Sequence, residues 1–335
     1  MFSPSKIVFV FSLIMIFVSC GNEEDDSPYA AIYSQPAFAG LTDSISRDRS
    51  NDDLYFRRAV LLNKNNFPEP ALEDFKKAWN LRKDERYAIA ISSLYLEDHP
   101  DSAILFLEKQ GLKELPGSLL LQLNLAHAYE AINNLNKALG ICDNILHQFP
   151  QQVDVLKLQS DLLEKKGDAR GSILILEKAY QLTPFDIELN YLLALRLAEM
   201  KDPKLLTLCD SLIRVDSMGT HAEPNYYKGI YYVNLGDRSK AISEFSLALE
   251  KDYYFLDAYI EKAAAQYELK KFNEALKTLQ LLLTISPKNA DGYYWAGKCL
   301  EAMGDKEQAN LNYQKALGLD KSMKEAKEGL ERTRG

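Results

Sequence analysis

The alanines Ala241, Ala275 and Ala309 stand 34 residues apart, and their surroundings repeat with them. Twelve residues before each come Gly229, Ala263 and Gly297; four after each come Phe245, Leu279 and Tyr313; seven after come Ala248, Leu282 and Ala316. Ala138 carries the same frame further up the chain, with Ala126 before it and Cys142, Ile145 and Pro150 after it. A fixed period of this length marks one supersecondary unit copied many times, in which no copy buries its own apolar face and neighbours must stack. A single central core is excluded, since 335 residues exceed what one core normally encloses.

Each period reads as two helices. In "EPNYYKGIYYVNLG" followed by "RSKAISEFSLALEKD", the Gly236–Asp237 step supplies a helix stop and a new cap. Gly229 and Ala241 let the two backbones approach, and Phe245 fills the space between neighbouring pairs. Small, aromatic and proline positions at these offsets resemble the tetratricopeptide repeat family. The resemblance implies an all-α fold: a right-handed α-solenoid of about eight helix-turn-helix repeats over 52–323, with units near 52–85, 86–118, 119–152, 153–186, 187–221, 222–255, 256–289 and 290–323. Ala59, Ala71, Phe75 and Ala78 match in the first unit, and Ser160, Ser172, Ala179 and Pro184 in the fourth. The second unit lacks a residue in its inter-helix turn, and the fifth has Leu206 where a small residue is expected.

An array of this kind needs solvating ends. Residues 36–51 read as a half-repeat cap with Ala37 and Leu41 in phase with a second helix. Residues 324–335 read as a capping helix, preceded by Met323 and carrying Ala326 and Leu330 on the same apolar face.

The other constraint lies at the start. The apolar run Ile7 to Val18 is 12 residues long, too short to span a bilayer, and it follows a single cation, Lys6. This is the layout of an export signal over residues 1–19. "FVSC" resembles a bacterial lipobox, which implies acylation at Cys20; Phe17 departs from the usual Leu there, and the other reading is a plain signal peptide with an incidental cysteine. Residues 20–35 then read as an acidic flexible tether. Its run Glu23, Glu24, Asp25 and Asp26 is similar to the export signals of surface lipoproteins in the Bacteroidetes lineage, and reads equally as a solvated spacer. The implied location is the cell envelope, as an outer-membrane lipoprotein, with membrane contact through the lipid.

With 48 acidic against 40 basic residues the net charge is −8 and no basic stripe appears, which argues against nucleic acid as a partner. Four histidines lack metal-ligand spacing, and no nucleophile elbow, phosphate loop or dinucleotide fingerprint is present, so neither cofactor, metal nor small-molecule substrate is expected. Cys142, Cys209 and Cys299 are widely spaced, and Cys142 and Cys299 fall at packing positions, where a thiol acts as a small hydrophobe.

What the resemblance implies instead is a groove lined by first helices, binding a peptide or protein. Its lining positions give Lys157, Tyr191, Tyr226, Ile230, Tyr267 and Tyr294 as candidates, and Asp53, Glu85, Asp154, Glu188, Glu223, Asp257 and Asp291 as an acidic stripe. Aromatic side chains there suit binding hot spots; the competing readings are partial burial of the rings and a helix-dipole preference for the acids. The expected function is a lipid-anchored, non-catalytic adaptor, with a structural subunit of an outer-membrane, secretion or motility assembly as the alternative.

Overall fold

The computed structural model describes residues 27–334, so the export signal, Cys20 and the acidic run lie outside the described residues. Among the described residues every regular element is helical. None of these helices is long and apolar enough to cross a membrane. The chain divides into two compact units, Met1–Ile141 and Cys142–Gly335.

The first unit holds α1 (Ala30–Tyr33), α2 (Pro36–Arg47), α3 (Asp52–Lys64), α4 (Pro68–Leu81), α5 (Glu85–Asp98), α6 (Pro100–Phe106), a π-helical turn at Leu107–Gly111, α7 (Leu112–Glu114) and α8 (Leu119–Ala131). Helix α9 (Leu135–Gln148) runs on into the second unit, which continues with α10 (Val153–Lys165), α11 (Ala169–Leu182), α12 (Ile187–Glu199), α13 (Lys204–Val215) and α14 (Glu223–Leu235). It ends with α15 (Arg238–Lys251), α16 (Leu256–Glu268), α17 (Phe272–Ile285), α18 (Ala290–Ala302), α19 (Lys306–Leu319) and α20 (Lys324–Thr333).

The repeating alanines do what their period implies. Ala241, Ala275 and Ala309 are fully buried, as are Phe245 and Tyr313 four residues on, and a Cβ added at Gly297 would stand 2.8 Å from the Tyr313 ring. The turn inside each pair needs one residue in the left-handed region, and Asn66, Asn133, Gly167, Lys201, Gly236, Lys270 and Gly304 occupy that place in seven pairs. After each of the three glycines an aspartate caps the second helix: Asp168, Asp237 and Asp305 accept from Gly171, Lys240 and Gln308 backbone N–H groups at 2.8, 3.1 and 3.1 Å.

The degenerate units depart from this frame for identifiable reasons. Only His99 separates α5 from α6, so this pair has no left-handed turn residue, and the second helix gives way after Phe106 to the π-helical turn. In the fifth unit the buried residue four positions before Cys209 is Leu205, whereas Leu206 is half-buried. The expected register was one residue late there. A leucine at the close-approach site holds α12 and α13 less closely together than α14 and α15.

Two readings of the N-terminal segment need correction. The tether expected over 20–35 is already helical at α1, where Tyr33 is buried with its ring 3.9 Å from the Arg58 guanidinium carbon. In α2 the buried side chains are Phe38 and Ile45, with Leu41 half-buried and Ala37 exposed, because the heavier residues take the face toward α3. At the other end, α20 packs Ala326 with Met323 and Leu330 against Tyr313 and Ala316 of α19.

Candidate functional site

In the second unit the first helices α12, α14, α16, α18 and the terminal α20 contact one another in sequence. Lys157, Tyr191, Tyr226, Ile230, Tyr267 and Tyr294 are all half-buried on first helices, and each of the charged or aromatic ones is tied into local packing.

Lys157 Nζ donates to Asp186 Oδ2 at 2.7 Å, and Asp186 also caps α12 by accepting from the Leu189 N–H at 3.1 Å. The pairing holds the lysine pKa up and the aspartate pKa down. The Tyr191 hydroxyl donates to Glu223 Oε2 at 3.2 Å, and its ring lies 5.9 Å from Tyr227. Tyr226 lies 5.7 Å from Tyr227 and 4.8 Å from Phe255, within a cluster that includes Ala222, Ala248 and Ala258. Burial, and then the nearby Glu261 and Asp257 carboxylates, push the Tyr226 hydroxyl pKa up. The structure thus joins Tyr191 and Tyr226 through Tyr227, while Lys157 pairs with Asp186 and Ile230 follows Tyr226 by one turn of α14.

Tyr267 and Tyr294 meet through a residue that sequence reasoning passed over. The Lys298 ammonium sits 4.1 Å from the Trp295 ring, 4.7 Å from Tyr267 and 5.6 Å from Tyr294. Burial lowers its pKa. Its place was available from the period, since Lys298 lies 68 residues, two periods, after Ile230.

The acidic stripe sits at helix starts, and Glu261 lies outside it. Asp154, Glu188, Glu223, Asp257 and Asp291 all fall in the first turns of α10, α12, α14, α16 and α18, where the helix dipole favours them. Glu261 differs: it is the sixth residue of α16, half-buried, and its carboxyl pKa is raised by burial and then by Asp257 and Glu268. The thiols of Cys209 and Cys299 are buried, with pKa values pushed up to about 12 and about 11. A thiol in that state is a poor nucleophile near neutral pH.

Paired antiparallel helices stacked at a repeating period, with first helices in contact from α12 to α20, define an α-solenoid of the interaction class. Tetratricopeptide repeat models match residues 94–162, 226–290 and 290–323. The chain belongs to the tetratricopeptide repeat family. Heat shock protein STI1 of Saccharomyces cerevisiae is 38% identical over 96 residues, which is 28% of this chain and 16% of that protein, so the likeness spans about a sixth of STI1. A tetratricopeptide repeat protein from Parabacteroides merdae has the same fold, at 18% identity and a TM-score of 0.57, covering 76% of this chain and 100% of its own. The first such domain of Spaghetti (RPAP3), bound to the HSP90 peptide SRMEEVD, is 26% identical, covering 36% of this chain and 94% of its own, with a TM-score of 0.33.

Proposed function

We propose that this chain is a non-catalytic adaptor, held at the cell envelope by a lipid on Cys20, whose first-helix face binds a peptide or protein partner. The observation that carries the binding reading is the set of half-buried rings on neighbouring first helices, Tyr191, Tyr226, Tyr227, Tyr267 and Tyr294, bordered by carboxylates. Rings anchored by their neighbours present area to a partner without losing much rotamer freedom, which is why aromatic residues dominate binding hot spots. Tyrosine-to-alanine changes would loosen this packing, so the test uses Ile230→Asn, a half-buried position one turn after Tyr226 on α14. Capture of the native partner should fall while the circular dichroism spectrum stays helical; undiminished capture would contradict the reading. Anchoring is tested by membrane fractionation and protease access in intact cells, with Cys20→Ala expected to leave the membrane.

A second reading, a structural subunit of an envelope assembly, is favoured by three inter-pair turns that expose Phe185 at 91%, Met218 at 82% and Tyr254 at 72%. Large apolar side chains presented at successive turns suit a permanent neighbour. Co-purification that survives detergent and high salt, and is lost with Phe185→Ser and Tyr254→Ser, would support this reading over the adaptor.

A further inference from the structure

We propose that the partner segment is cationic, and that it seats a lysine or arginine side chain against Glu261, beside the Tyr226 ring on the face of α14 and α16. The inference rests on the reading of that face as the partner surface and adds the chemistry of what fills it.

Glu261 is the anomaly. Its carboxylate has no hydrogen-bond or ionic partner among the described residues, although the side chain is half-buried. Its place beyond the first turn removes the helix-dipole explanation that serves for the other acids. One turn earlier, Asp257 is exposed and likewise without a partner, and i, i+4 spacing puts the two on one side of α16. Tyr226 packs against Ala258, the residue between Asp257 and the turn that carries Glu261, and both carboxylates act on its hydroxyl. A cation placed there would meet two carboxylates and have a ring beside it.

Several of the chain's own cations are committed elsewhere. Lys157 pairs with Asp186, Arg196 with Glu199, Arg238 with Glu268, and Lys228 with Asp210 and Glu244. Lys262, next in sequence to Glu261, lies between Glu250 and Glu274. A second, independent observation comes from Lys298. Two periods beyond Ile230, the chain places a lysine of its own among Tyr267, Tyr294 and Trp295. The sixth unit has Ile230 at the corresponding position, so its ring-lined face has carboxylates but no internal lysine. A cationic segment also matches the net charge of −8, which would speed its approach.

The test selects a phage-displayed library of random 12-residue peptides on purified full-length protein, in parallel with the uncharged Ile230→Asn variant. Peptides enriched on the first and lost on the second should be rich in lysine and arginine. Their affinity, read by fluorescence polarisation, should fall about tenfold in Glu261→Gln. Glu307→Gln, the same change of charge on the exposed start of α19, should leave it unaltered. Neutral or acidic peptides that depend on Ile230 but not on Glu261 would overturn the proposal while leaving the partner face intact. An absence of any peptide sensitive to Ile230→Asn would remove both.

Discussion

The Phe245 ring occupies the space over Gly229: a Cβ added there would stand 2.4 Å from it. Phe245 is fully buried, so it has no room to retreat. Gly229→Ala should therefore destabilise the second unit by up to about 2 kcal/mol, overpacking of about 1–3 kcal/mol outweighing the roughly 1 kcal/mol gain in helix propensity. Gly318, exposed in α19 with nothing within 4 Å of an added Cβ, is the control, and its change to alanine should stabilise by up to about 1 kcal/mol. Urea midpoints followed by circular dichroism check both signs.

Lys201 and Lys270 hold left-handed backbone, φ 57° and 59°, where Gly167, Gly236 and Gly304 stand in neighbouring pairs. A side chain there strains against its own carbonyl. Lys201→Gly and Lys270→Gly should each raise stability by about 0.5–1 kcal/mol, the relief being partly offset by a more flexible unfolded chain. Thermal melts of the two variants would show it.

Arg58 binds both oxygens of Asp74 at 2.7 and 2.9 Å, donates to Thr42 at 2.9 Å, and is almost fully buried under the Tyr33 ring. Removing one partner leaves a buried charge exposed to an apolar surround. Asp74→Ala should cost about 3 kcal/mol and release α1 and α2 first. Amide exchange should accelerate over Pro36–Arg47 before it does over α4.

Arg332 donates to both oxygens of Glu301, at 2.9 and 3.1 Å, and Tyr313 adds a bond at 2.6 Å, joining α20 to α18 and α19. The arginine holds the Glu301 pKa below its ordinary value of 4.5. That contribution is fully present above pH 4.5 and is lost as pH falls through the lowered folded value. Glu261 has the opposite sign: its raised pKa means that protonation relieves a penalty, so stability is gained as pH falls toward that value. Amide exchange in α20 should rise on acidification in the wild type and lose this pH dependence in Glu301→Gln. Glu261→Gln should raise the thermal midpoint at neutral pH.

Most of the helix pairs were legible because a small residue at a close approach leaves few alternatives: Ala241, Ala275 and Ala309 announce their own burial by spacing alone. The fifth unit was misread by one position, since Leu205 and Leu206 are chemically alike and only packing chooses between them. Ala37 was preferred to Phe38 for a related reason: an end helix has one packed side, and the aromatic residue takes it. The candidate tyrosines could be placed on first helices from the sequence, but their partners, Glu223 and Trp295 on neighbouring helices and Phe255 at the cap of α16, depend on helix rotations that the period does not specify. Lys298 was missed because a lysine in a charged pattern reads as solvated until three rings are found around it.

The central claim, a partner held on the first-helix face, is tested most directly by placing a photo-crosslinking phenylalanine analogue at Ile230, and separately at Leu247 on the second helix of the same pair, in cells producing the full chain. The account predicts discrete covalent adducts from position 230 and none from position 247. Adducts from position 247 alone would move the partner to the opposite face and contradict it.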